Sequence, residues 1–153
     1  MRRWERERAI FAGCERGTFV AFTFRMLNVL IADDEDSVVE LVRVTLEDER
    51  VRVIAARDGV AALALAEEIG PELILLDVNM PGHDGVEVCR RLRADPRFAR
   101  TPIVMLTAAV RPEDVRRGLE AGATEYLTKP FSPVRLLTLI DTLAPGATLW
   151  QPR

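Results

Sequence analysis

The chain has 153 residues, 48% apolar and 29% charged, with a formal charge of −3. This fits one globular domain with a sizeable core and excludes a disordered or fibrous chain. The first 25 residues are net basic, so the remainder is acidic; that argues against nucleic acid as a direct partner, and no apolar stretch approaches the ~18 residues of a membrane span. Phe19 to Phe24 is too short for a signal-peptide core, so a cytoplasmic location without membrane insertion is expected. Cys14 and Cys89 share no metal-ligand spacing, and Cys89 falls on a helix stripe with Val86 and Leu92, as a core thiol does. All 21 basic residues are Arg except Lys129. A compact ammonium suits a tight anionic pocket that a planar guanidinium does not, so position 129 is informative.

Residues 1–25 show no clear period and end at Met26, directly before the first good strand. They read as an extension, or as sequence upstream of a functional start at Met26, with a partner-binding arm as the alternative. Val29 to Ala32 is a short buried strand, followed by Asp33-Asp34-Glu35-Asp36 and a helix from about Ser37 whose Val38, Val39, Leu41, Val42, Thr45 and Leu46 share one arc. Val51 to Ala55 gives a second strand and Gly59 to Ile69 a second helix, stopped by Gly70-Pro71. Leu73 to Asp77 is a continuous apolar run that ends in a carboxylate at a Pro81-Gly82 loop, the pattern of a parallel strand buried on both faces. A helix from Gly85 to about Ala94 leads to a strand over Ile103 to Leu106, ending at Thr107. Pro112 opens a helix to Ala121, Glu125 to Thr128 forms the fifth strand, and Ser132-Pro133 opens the last helix, to Leu143. Strands alternating with helices predict an α/β fold with a doubly wound parallel sheet and right-handed crossovers.

Every chemically notable residue falls at the carboxyl end of a strand: Asp33 and Asp34, Asp77, Thr107 and Lys129. In a parallel sheet those ends share one edge, where ligands bind. Gathered carboxylates repel by several kcal/mol per close pair, so the site needs a cation or raised pKa values. Hard oxygen ligands without His or Cys select Mg²⁺ or Mn²⁺. No phosphate-binding glycine motif follows the first strand, so a phosphate must arrive with metal. Asp77 is then the candidate nucleophile, with the Thr107 hydroxyl and Lys129 ammonium suited to the oxygens of an incoming phosphoryl group. Taken singly, each residue has a plainer alternative. Asp33 and Asp34 can cap a helix, Thr107 can be an ordinary strand-end hydroxyl, and Tyr126 a half-buried strand aromatic. His83 reads as a solvent-exposed loop side chain, and the Arg group at 90, 91, 93, 97 and 100 as a solvated face.

Asp33-Asp34-Glu35, Leu75-Leu76-Asp77-Val78-Asn79-Met80-Pro81-Gly82-His83-Asp84-Gly85, Leu106-Thr107-Ala108 and Thr128-Lys129-Pro130-Phe131 stand in this order at the strand ends. Together they resemble the receiver domains of two-component response regulators, in architecture close to the single-domain chemotaxis type. The resemblance covers about Asn28 to Leu143, which gives a receiver domain at 26–144, an N-terminal extension at 1–25 and a short tail at 145–153 with no effector domain. It implies a flavodoxin-like sheet of order 2-1-3-4-5 flanked by five helices. It also implies that Asp77 accepts a phosphoryl group from a phosphohistidine of a sensor histidine kinase or histidine phosphotransfer protein. By the same resemblance, Asp34, Asp77 and the backbone carbonyl of Asn79 ligate Mg²⁺, with Asp33 acting through water. Thr107 and Lys129 are the implied switch residues, Tyr126 the switch aromatic that rotates inward, and Lys129-Pro130 a cis peptide.

Val115 and Leu119 form the only apolar stripe of the helix after Thr107, interrupted by Gly118, so that helix is expected to shift easily. The last helix has a broad apolar arc of Leu136, Leu137, Leu139, Ile140 and Leu143. A face made of these two helices and the Tyr126 strand is expected to be read by a protein partner in trans after phosphorylation. A relay role, passing phosphate onward, is the alternative output, and a phosphorylation-dependent dimer stays open. Ser132-Pro133-Val134-Arg135-Leu136 departs from the winged-helix regulators' pattern for a charged dimer face, and Ala109 replaces an acid frequent in the family, with an effect expected on phosphate lifetime. Two other classes compete. A dehalogenase-type phosphatase needs Asp-x-Asp where this chain has Asp77-Val78-Asn79, so self-catalysed phosphotransfer is expected rather than turnover; a receiver-like interaction module would never take phosphate.

Overall fold

The computed structural model describes residues 7–10, 22–108 and 111–143. Strands β1 (Glu7–Ile10) and β2 (Phe22–Arg25) form an antiparallel pair in which Glu7 lies opposite Arg25. The sequence predicts no element here, because four-residue strands place too few residues on each face to show a period. Cys14, Ala109 and the 145–153 tail lie outside the described residues.

From Leu27 the chain follows the expected alternation. It runs β3 (Leu27–Ala32), α1 (Asp36–Leu46), β4 (Val51–Ala56), α2 (Gly59–Ile69), β5 (Leu73–Asp77), α3 (Gly85–Ala94), β6 (Ile103–Thr107), α4 (Pro112–Glu120), β7 (Glu125–Thr128) and α5 (Pro133–Leu143). The five parallel strands are ordered β4-β3-β5-β6-β7, which is 2-1-3-4-5 in the count of the sheet's own strands.

Side-chain alternation explains how two helical layers attach. Leu30, Ile74, Leu76 and Met105 join Ala62, Ala66, Val88 and Leu92 in one core, so α2 and α3 cover that face. Val29, Ile31, Leu75, Val104 and Leu106 join Val39, Val42, Leu136 and Ile140 in the other, under α1 and α5. β5 and β6 are buried at every position, as strands enclosed on both sides must be. Truncating a residue such as Leu75, fully buried, to Ala costs ~2–5 kcal/mol by analogy with other cores.

The helix ends are local. Asp58 accepts the Ala61 N–H at the start of α2, which ends at Gly70 in the left-handed region, and Asp84 accepts the Glu87 N–H at the start of α3. Arg93 departs from its expected solvated face. It is half-buried and donates to the carbonyls of Gly122, Phe98 and Thr101, while Arg90 and Arg91 pair with Glu87 on the surface. Its long stem lies along Gly122, which is why a guanidinium can be drawn inward there.

Candidate functional site

Sheet register builds the site. Ala32 lies opposite Leu76, Asp77 opposite Leu106 and Thr107 opposite Thr128, so the residues that follow or end these strands meet along one edge. The Lys129 N–H donates to the Thr107 carbonyl at 2.7 Å, and the Asp33 N–H to Ala56 at 3.0 Å, extending the sheet by one residue on each side.

Asp77 is held from below and behind. The N–H of Asn79 donates to its Oδ1 at 3.2 Å, and the Gly85 N–H bonds the Val78 carbonyl at 3.1 Å, closing the loop between β5 and α3. Gly85 is required for that closure, because a Cβ there would lie 2.2 Å from the Asp77 carbonyl oxygen, a backbone atom that cannot step aside.

Lys129 reaches into the acids. Its Nζ lies 2.7 Å from Asp33 Oδ2, 2.9 Å from Glu35 Oε1 and 3.5 Å from Asp77 Oδ2. Burial disfavours the ammonium, but its ion pairs with Asp33 and Glu35 outweigh that and raise the lysine's pKa. Asp77 is pushed up to about 6, first by burial and then by the Asp33 charge, against the opposing pull of the Asn79 N–H and Lys129. It is the carboxylate whose ionisation the fold opposes most plainly.

The acidic trio gathered here is Asp33, Glu35 and Asp77, each offering an oxygen within 4.8 Å of the others. Asp34, which the resemblance implies as a direct ligand, is exposed and stands outside that trio. The cause is a local turn: Asp33 Oδ1 accepts the Glu35 N–H at 2.9 Å, and the Glu35 carboxylate meets Lys129. Thr107 is buried at the end of β6, and the Lys129–Pro130 peptide is cis. His83 is half-buried, its backbone and Cβ packed so closely over Gly59 that no side chain fits there; it is not the free loop residue that the sequence suggests.

A divalent cation fits the donor set. Three carboxylates face one ammonium, and Asp33 Oδ2, completely enclosed, has the Lys129 charge beside it but no aligned hydrogen bond. All donors are hard oxygens, the chemistry of Mg²⁺ or Mn²⁺.

Tyr126 sits farther along the same face. It is half-buried, its hydroxyl donates to the Asp114 carbonyl at 2.9 Å, and it presses against Gly118. That contact revises the expected stripe of α4: the helix's buried residue is Gly118, Val115 is half-buried, and Leu119 is 51% exposed. An aromatic ring from β7 fills the space that an apolar helix side chain would otherwise occupy. Around the site, the parts of Glu35 and Gly118 are not legible in the sequence.

The parallel sheet with an acidic, lysine-bridged strand edge is the architecture of a receiver-type signalling domain. The chain matches the response regulator receiver domain over residues 29–141, and it belongs to that family. It is 42% identical over 118 residues to the DNA-binding dual master transcriptional regulator RpaA of Synechocystis sp., covering 77% of this chain and 49% of that protein. It is 43% identical over 115 residues to the response regulator PleD of Caulobacter vibrioides, covering 75% of this chain and 25% of PleD. Among solved structures, the chemotaxis response regulator CheY4 of Vibrio cholerae is similar, with a TM-score of 0.73 and 39% identity over 78% of this chain and 99% of CheY4. The chain thus spans about half or less of these two curated relatives and nearly all of CheY4. Because RpaA is named as DNA-binding, the expectation that nucleic acid is no partner gains no support from the relatives. Among the described residues, no helix is long and apolar enough to cross a membrane.

Proposed function

We propose that Asp77 is a reversible phosphate acceptor, taking a phosphoryl group from a phosphohistidine of a sensor histidine kinase or histidine phosphotransfer protein. The observation that carries this is the placement of Lys129 within 3.5 Å of Asp77 and in contact with Asp33 and Glu35 at one sheet edge. A pKa of about 6 leaves Asp77 mostly ionised at neutral pH, so its oxygen attacks phosphorus as a carboxylate. The P–O bond to Asp77 forms as the P–N bond breaks, and the departing imidazole keeps that electron pair and picks up a proton. Lys129 and the Thr107 hydroxyl bind phosphoryl oxygens as Lys129 gives up contact with Glu35.

Asp33, Asp34, Asp77 and the carbonyl of Asn79 would hold Mg²⁺ or Mn²⁺. When bound, the ion neutralises charge on the phosphoryl oxygens and so lets two anions approach. Asn79 supplies no acid to protonate an ester leaving group, which supports phosphotransfer and autodephosphorylation in place of turnover on small substrates. The receiver acts in the cytoplasm and signals to a protein partner through α4, β7 and α5. Incubation with acetyl phosphate and Mg²⁺ is expected to add the mass of one phosphoryl group, lost on hydroxylamine treatment and absent in Asp77→Asn. An unchanged mass for the native chain contradicts the proposal.

A further inference from the structure

Gly118 lies in the interior of α4, where glycine weakens a helix relative to alanine. A Cβ built on it would lie 1.6 Å from the Tyr126 hydroxyl oxygen and 2.6 Å from Cζ. The ring therefore occupies the space that any other residue's side chain would take. The hydroxyl donates to the Asp114 carbonyl, one turn earlier on the same helix. Gly118 is the buried residue of α4, and the seated tyrosine is a contact between that helix and the sheet.

The tyrosine is also placed to sense the phosphate site. Tyr126 pairs with Met105 in the sheet register, and Thr107 follows Met105 by two, so the side chains of Tyr126 and Thr107 lie on one face of neighbouring strands. Tyr126 packs against the core that contains Met105.

We propose that Gly118 is a positioning residue: by leaving α4 without a side chain at this point, it makes the seat for the Tyr126 hydroxyl and sets how firmly the tyrosine holds α4 to the sheet. Any larger residue at 118 turns Tyr126 out and frees α4. The regulatory consequence rests on reading this chain as a phosphate-accepting switch; the seat itself does not.

Tyr126 is the only tyrosine of the chain, so 3-fluorotyrosine labelling yields a single ¹⁹F resonance from this ring. In the full, unphosphorylated chain the line is expected at a shielded position with a small H₂O/D₂O shift. Gly118→Ala is expected to move it toward free fluorotyrosine and at least double the solvent shift. A melting cycle supplies the second readout: Gly118→Ala raises the midpoint in a Tyr126→Ala background, where helix propensity alone operates, and lowers it when the tyrosine is present. An unmoved resonance in Gly118→Ala, or the same rise in both backgrounds, overturns the seat. Intact mass after acetyl phosphate is read on the same samples. A moving resonance with no phosphoryl gain supports the seat and overturns the receiver reading, whereas phosphoryl gain with an unmoved resonance does the reverse.

Discussion

The β5–α3 and β7–α4 units stand on either side of β6 and are built to opposite standards. In the first, all five strand residues are buried, and α3 contributes Gly85, Val86, Val88, Cys89 and Leu92 to the interior. In the second, β7 buries Leu127 and α4 buries a glycine. Burying a large apolar side chain stabilises by ~1.5–3 kcal/mol, so the first unit is anchored several times more strongly than the second. Asp77, the proposed phosphate acceptor, sits on the firm unit and the tyrosine on the loose one. A phosphoryl group bound at Asp77 can therefore leave its own support unmoved while shifting its neighbour, because segments with few buried contacts open first.

The largest expected effect comes from breaking the firm side. Gly85→Ala forces a methyl group against the Asp77 carbonyl and is expected to cost ~2–4 kcal/mol in urea unfolding, with phosphoryl uptake strongly slowed. Gly118→Ala meets a movable ring tip instead, and its stability change is expected to stay within about 1 kcal/mol. Equal costs for the two substitutions would remove the contrast.

Next in size is the pH response of the metal-free protein. The Asp77 pKa is raised from 3.8 to about 6, so the folded state holds a proton in that interval that the unfolded chain has released. Stability from this group is therefore lost as pH rises from about 4 to about 6, and the penalty is complete above that. In EDTA at pH 7, Asp77→Asn is expected to be more stable than the native chain by about 1–3 kcal/mol, the gap closing toward pH 4. A gap that widens on acidification would show that the carboxylate is stabilised by its surroundings. The smallest contrast is between the two exposed acids: by calorimetry, Asp34→Asn should weaken Mg²⁺ binding about tenfold and Glu35→Gln less than threefold. The opposite ranking would place Glu35 on the metal.

Much of the firm unit was legible in the sequence. Leu73 to Asp77 is an unbroken apolar run ending in one acid, and Gly85–Ala94 opens after Asp84, a capping residue, so both elements keep their expected boundaries. The meeting of Asp77, Thr107 and Lys129 follows from strand ends alone, since a parallel sheet puts all such ends on one edge. What escaped depends on contacts that no period records. Glu35 turns toward Lys129 because Asp33 bonds its amide, a choice made by one hydrogen bond. Gly118 looked like a gap in an apolar stripe, and its meaning appears once Tyr126, across the α4–β7 connection, fills it. Arg93 looked like one more surface charge until Gly122 and the carbonyls around it drew it inward.

The division between a fixed chemical half and a movable reading half is tested most directly by amide chemical shifts of the full chain before and after acetyl phosphate with Mg²⁺. The expected result is that, beyond the loop around Asp77, amides of α4 and β7 move while those of α3 and the body of β5 stay in place, and that Asp77→Asn shows neither change. Shifts spread evenly over α3 and α4, or confined to the Asp77 loop, would contradict it.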